Sequence, residues 1–225
     1  MNPLKLLKDS LTYSLPIYTL LLILNIPNFL LTNFLIFDLL TWLKFPLLVF
    51  AIYLVNLFLS IWIWAASIYY IYYYLLKPRV GIVRAFKATF KKKEQLILGG
   101  LMAFGLYLLG LIFFIIPGIY MFVKTNFFPE AIVLENCTAK QGINRSSALV
   151  RGYWWSVFLA IVVNFLVFGY LAVYLSSQII IKLFPNIESA HAEMIGGILG
   201  LLLTPFSEVY NVLLFIRLRN LSSAS

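Results

Sequence analysis

Five stretches of about 20 predominantly apolar residues dominate the chain: Leu15 to Phe37, Phe45 to Ile68, Leu96 to Ile116, Trp155 to Ile181 and Met194 to Ile216. Each matches the length an α-helix needs to cross a hydrocarbon layer about 30 Å thick. A backbone in lipid must satisfy its polar groups internally, so runs of this kind fold as helices packed on one another. Composition agrees, with 63% hydrophobic and 11% charged residues against about 45–50% and about 25% in an average soluble domain. The expected class is an all-α polytopic membrane protein forming a single transmembrane domain over residues 1–225. The N-terminal apolar run is longer than a signal-peptide core and no small-x-small cleavage site follows it, so it reads as the first span.

Basic residues set an orientation and argue for an even number of spans. Lys5 and Lys8 precede the first run and Arg217 and Arg219 follow the last, which places both termini on the cytoplasmic side. A sixth span over Gly118 to Glu135, after the turn dipeptide Pro117-Gly118, restores that parity despite Lys124 and Glu130 within it. On this reading 14 of the 17 Lys and Arg residues lie inside and only Lys44 and Lys182 outside, with Asp38, Glu188 and Glu193 in outer loops. Tyr69, Tyr70, Tyr72, Tyr73 and Tyr74, and again Tyr153, Trp154 and Trp155, fall at the inner interface as aromatic anchors.

The inner loops carry amphipathic patterns. Val80, Val83, Ala88 and Phe90 interleave with Arg84, Lys87 and Lys91, and Ile143, Ala148 and Leu149 with Lys140, Arg145 and Arg151. Leu4, Leu7 and Leu11 beside Lys5 and Lys8 make a third instance. Gly81-Ile82-Val83-Arg84 and Gly142-Ile143-Asn144-Arg145 share a short G-I-x-R pattern. The chain therefore divides into three units, 1–76, 77–135 and 136–225, each a cytoplasmic-side amphipathic helix followed by a transmembrane hairpin. The basic surface formed by Arg84, Lys87, Lys91, Lys92, Lys93, Lys140, Arg145 and Arg151 suits anionic lipid headgroups or a membrane-protein partner, rather than nucleic acid.

Ile116 to Trp155 resembles the membrane domain associated with glycerophosphoryl diester phosphodiesterases, a family with free-standing bacterial members. The resemblance rests on Pro117-Gly118, Lys124, Glu135, Arg145-Ser146, Leu149, Gly152 and Trp154. It implies an all-helical membrane fold without catalytic residues, since the chemistry of those enzymes belongs to a separate soluble domain. Lys124 stands where that family usually has Arg, which removes bidentate anion binding.

Intramembrane ionisable residues are candidate functional groups. Equal depths counted from the inner ends predict an ion pair between Lys124 and Glu208, with Asn126, Glu130 and Asn211 completing a polar cluster. Pro129 and Pro205 are expected to break their helices. Asn25, Pro27, Asn28 and Asn33 make the first span polar enough to pack inside a bundle. Gly99, Gly100, Gly105 and Gly110, with Gly196, Gly197 and Gly200, are expected to permit close helix contact.

Catalytic chemistry finds little support. One cysteine, Cys137, and one histidine, His191, exclude a disulfide framework, a Cys/His zinc site and a histidine triad within one chain. No phosphate-binding glycine loop is present, and Ser146-Ser147 has no base beside it. The expectation is a non-enzymatic protein with no cofactor or metal, acting as a lipid-interacting scaffold or assembly factor. The alternative is a small transporter or lipid-translocating protein using Lys124, Glu130 and Glu208. A bacterial cytoplasmic membrane, or an organellar membrane such as the thylakoid derived from one, is the expected location.

Overall fold

The computed structural model describes residues 2–30, 46–76, 80–185 and 189–223, all in helices or the short links between them. Asn33, Asp38, Lys44, Lys77, Glu188 and the side chains of His191 and Glu193 lie outside the described residues. In chain order the helices are α1 (Pro3–Ser14), α2 (Tyr18–Leu30), α3 (Pro46–Leu76), α4 (Ile82–Phe90), α5 (Lys93–Phe113), α6 (Ile115–Thr125), α7 (Phe128–Glu135), α8 (Ala139–Val150), α9 (Trp154–Asn164), α10 (Ser176–Leu183) and α11 (Ser189–Ser223). A 3₁₀ turn, Leu15–Ile17, joins α1 to α2, and a π-type stretch, Phe165–Leu175, joins α9 to α10. Among the described residues, four helices are long and apolar enough to cross a membrane: Pro3–Leu30, Leu54–Leu76, Lys93–Phe113 and Ile195–Ser223. The sharply bent pair Ala139–Val150 and Trp154–Tyr170 supplies a fifth candidate.

The N-terminal segment is no separate interfacial helix. Leu6, Ser10, Ser14, Ile17, Leu21 and Asn25 form one continuous buried face, whereas Leu4 and Leu11, expected to be apolar anchors, are exposed. Ser10 and Ser14 donate to the carbonyls of Leu7 and Leu11, so both are small and self-satisfied and let α1 approach α11 closely. Asp9 pairs with Arg217, Asn25 bonds to Glu208, and the two helices run antiparallel along this seam. The α9–α10 helix lies along another face of α11, where the Tyr210 hydroxyl donates to Ala160 O at 3.0 Å and Phe168 stacks 6.4 Å from Phe206.

The middle of the chain forms a second layer. Helix α5 reverses at Phe114, a single extended residue, and not at Pro117-Gly118, which falls inside the first turn of α6. The reversal is this tight because Gly110 and Gly118 meet: a Cβ built on Gly110 lies 2.8 Å from Gly118 Cα. Gly99 likewise abuts Phe128 and Ile132, so α6 and α7 follow α5 back as one antiparallel arm. That arm breaks at Asn126-Phe127, where Pro129 lacks the N–H that would continue the ladder.

Helix α8 runs alongside this hairpin for its whole length. Ala139 N–H bonds to Gln95 Oε1 at 2.9 Å, Gly142 abuts Ile132, and Ser146 bonds at the α6–α7 break. After Arg151-Gly152-Tyr153, with Gly152 at φ +83°, the chain turns through 103° into α9. Helix α8 follows the hairpin and α9 follows α11, so the 103° bend between α8 and α9 is where the chain passes from one layer to the other. The described residues are thus helical apart from short links, with several helices long and apolar enough to span a membrane. Hydropathy and length specify an apolar helix of 21 residues, and the contacts at Gly110, Gly118 and Ser146 specify how the hairpin closes and what it packs on.

Gly110→Ala is expected to open the hairpin and lower the melting temperature of the purified protein. Gly105→Ala, with nothing within 4 Å of the new methyl, should be neutral or stabilising by up to about 1 kcal/mol. Thermal unfolding in detergent compares the two.

Candidate functional site: an intramembrane polar cleft and a basic face

The predicted polar cluster separates into four environments. Lys124 Nζ rests 4.5 Å from the Tyr120 ring centroid and makes no ion pair with Glu208. The prediction compared depth alone; Val123 and Phe127, on either side of Lys124, pack against Tyr210, Leu214 and Phe215 of α11, whereas Lys124 itself turns to Tyr120.

Glu208 instead contacts the first span. Asn25 Nδ2 donates to Glu208 Oε1 at 3.2 Å and to Leu21 O at 2.9 Å. Ser67 Oγ, from α3, adjoins the carboxyl without completing a hydrogen bond. Three helices thus converge on one buried carboxyl, and a second polar contact, from Ser60 Oγ to Asn28 Oδ1 at 2.6 Å, lies further along α2 and α3. Glu130 is enclosed in α7 at 1% exposure, and its Oε2 has no hydrogen-bond partner among the described residues.

Asn126 and Asn211 come together with residues the sequence reading had not singled out. Asn164 Nδ2 donates to Asn211 Oδ1 at 2.9 Å, and Ser207 Oγ donates to Asn164 Oδ1 at 2.9 Å. These groups, with Asn126, Thr204, Phe165 and Phe168, line a cavity of about 290 Å³ between α11, α9 and the α6–α7 break. Asn126 also lines a second cavity, of about 500 Å³, walled by Trp64, Phe104, Tyr107, Ile119 and Phe122. Ser207 and Asn211 are four apart on α11, and that spacing is the sequence signal that could have joined Ser207 to the cluster.

The segment resembling a known family is the seam between hairpin and α8. Ser146 Oγ donates to Lys124 O at 2.7 Å and accepts Phe127 N–H at 3.0 Å, satisfying both sides of the helix break. Arg145 grips Glu135 through Nε to Oε2 at 2.7 Å and Nη2 to Oε1 at 3.2 Å, a contact that raises the guanidinium pKa further. Trp154 Nε1 donates to Tyr120 O at 3.5 Å, and Thr138 with Gln141 forms a capping box that starts α8.

These contacts redistribute the predicted basic surface. Lys92 donates to the carbonyls of Ile132 and Val133, at 3.1 and 2.6 Å, and so caps the C-terminus of α7; desolvation there lowers its pKa. Asn136, at φ +56°, completes that cap. Lys93 lies 4.2 Å from the Phe90 ring centroid, and Arg145 is held by Glu135. Arg84, Lys87, Lys91, Lys140 and Arg151 are exposed. Phe86 and Phe90 pack on Trp62, fixing α4 against α3 with Lys87 and Lys91 at the rim. Burial, with Glu135 close by, raises the Cys137 thiol pKa.

An all-helical protein with several long apolar helices that could span a membrane is the class these features define. Residues 29–216 match the family model described as Domain of unknown function (DUF7847), and the chain belongs to that family. No curated protein and no solved structure matches it.

Ser146→Ala strands the Phe127 N–H and is expected to lower stability by about 1–3 kcal/mol. Ser147→Ala, one residue along and half-exposed, should change stability by less than about 0.5 kcal/mol. Denaturant or thermal melts of the two variants test the seam.

Proposed function

We propose that the protein is a non-enzymatic, lipid-interacting scaffold of a bacterial-type cytoplasmic membrane, with four crossings and one amphipathic layer on the cytoplasmic side. The crossings are the α1–α2 helix, α3, the α9–α10 helix and α11. The hairpin α5–α7 and α8 lie along the inner leaflet. The observation that carries this reading is the layer's two-sidedness. No Asp, Glu, Lys or Arg occurs from Gln95 to Val123, and Leu101, Leu109, Ile112, Phe113, Phe114 and Ile116 are exposed on the hairpin. Helix α8, against it, exposes Lys140, Asn144 and Arg151. An apolar surface of this size needs hydrocarbon around it, and a cationic face beside it suits anionic headgroups.

Four crossings also keep both termini on one side without a marginal sixth span. Lys44 and Lys182 remain on the outer side and every other basic residue except the hairpin's Lys124 falls in an inner segment or terminus, which follows the positive-inside rule. Five exposed cations on α4, on α8 and in their flanking links then face the headgroups.

Neutralising Lys87, Lys91, Lys140 and Arg151 to Gln together is expected to lower the ratio of anionic to zwitterionic lipid that co-purifies, by at least about threefold. Lipid mass spectrometry of the purified, folded protein measures the ratio. An unchanged ratio counts against the scaffold reading.

The second reading, a small transporter or lipid-translocating protein, draws support from the buried Glu130 and Glu208, neither of which contacts a cation among the described residues. In that case Glu208→Gln abolishes transport while the folded level holds.

A further inference from the structure

Two cavities meet at Asn126, where the α6–α7 arm is broken. Their volumes, about 500 and about 290 Å³, compare with the roughly 300–1,000 Å³ of small-molecule sites. The larger is walled by aromatic and aliphatic side chains. The smaller has an unusual lining for a membrane interior: three side-chain amides and two hydroxyls.

Counting hydrogen-bonding groups shows what that lining lacks. Asn164 and Asn211 use one N–H and two carbonyl oxygens between them and Ser207, leaving one N–H of Asn164 and both of Asn211. Thr204 spends its hydroxyl on Gly200 O at 3.1 Å. The Asn126 side chain makes no hydrogen bond among the described residues, so its two N–H groups and its oxygen are also free. The cleft thus offers five N–H donors, together with the remaining lone pairs of its amide and hydroxyl oxygens, which suit a hydroxyl. No charged side chain lines either cavity. In a low-dielectric site an anion needs a counter-charge, whereas an ester carbonyl needs only donors.

We infer that this cleft binds a neutral glycerolipid of the diacylglycerol class, its ester carbonyls on the amides of Asn126, Asn164 and Asn211 and an acyl chain in the Trp64–Phe122 cavity. The site rests on the lipid-interacting reading above, and differs from the basic face in selecting uncharged lipid. Its place at the seam between hairpin and long helices means that an occupant touches both layers.

The test uses the full-length protein in nanodiscs containing a photoactivatable diacylglycerol, with photoactivatable phosphatidylglycerol at equal mole fraction as comparison, and maps adducts by peptide mass spectrometry. Diacylglycerol adducts are expected on segments 100–128 and 161–211. They should fall about tenfold in Asn126→Leu, which removes three polar groups. Gly100→Leu should give a similar loss, because it fills the larger cavity from a position where a built Cβ is 3.9 Å from its nearest neighbour, Phe128. Melting temperature and elution profile establish that both variants fold. Adducts absent from these segments, equal labelling by phosphatidylglycerol, or labelling unaffected by both variants overturns the inference. Should anionic lipid still co-purify through the basic face, only the cleft assignment falls and the scaffold reading stands.

Discussion

The architecture depends on one hydroxyl. Proline at 129 prevents α6 and α7 from forming a single regular helix, and the break leaves Lys124 O and Phe127 N–H without helical partners. Within an apolar layer each such group costs several kcal/mol if left bare. Ser146 Oγ satisfies both, and it does so from α8. The helix break is therefore tolerable only while α8 lies along the hairpin, and the Arg145–Glu135 pair and the Ala139–Gln95 hydrogen bond hold it there. Because the chain bends by 103° between α8 and α9, fixing α8 to the hairpin also ties the hairpin to the long helices through that bend.

Polar groups inside the structure then fall into two kinds. Asn25, Ser67 and Glu208 join three of the long helices, and Ser10 and Ser14 permit close approach; in an apolar medium such contacts supply specificity where the hydrophobic effect gives little. The groups around Asn126 are different. They lie where layers meet, they are only partly satisfied by one another, and they border open volume.

Much of this was legible in the sequence. Helical class follows from apolar runs, the amphipathic α4 and α8 from alternating cations and apolar residues, and Thr138 and Gln141 sit at capping-box spacing just ahead of α8. Asn25 marked the face of the first helix that packs on the others, where it meets Glu208, although most of that helix remains exposed. Packing partners were not legible. Leu96 to Ile116 has the same composition whatever it packs on, and the contacts that settle its partners are specific pairs: Gly110 with Gly118, Gln95 with Ala139, Ser146 with Lys124. The Lys124–Glu208 pairing failed because a count from helix ends does not say which way a side chain turns: Glu208 meets Asn25, and Lys124 rests on Tyr120. Ser146, with no base beside it, gave no sign in sequence that it would serve backbone groups instead of substrate.

The transverse hairpin is most directly tested by the side of the membrane from which its tip is reached. With Cys137→Ser as background, Phe114→Cys is treated in sealed vesicles of each orientation with a membrane-impermeant maleimide. A tip lying in the inner leaflet predicts no labelling from the outer face, while a lipid-soluble maleimide still reacts. Labelling from the outer face at a rate comparable with an outer-loop control such as Lys182→Cys would mean that the hairpin crosses the membrane, and would contradict the account.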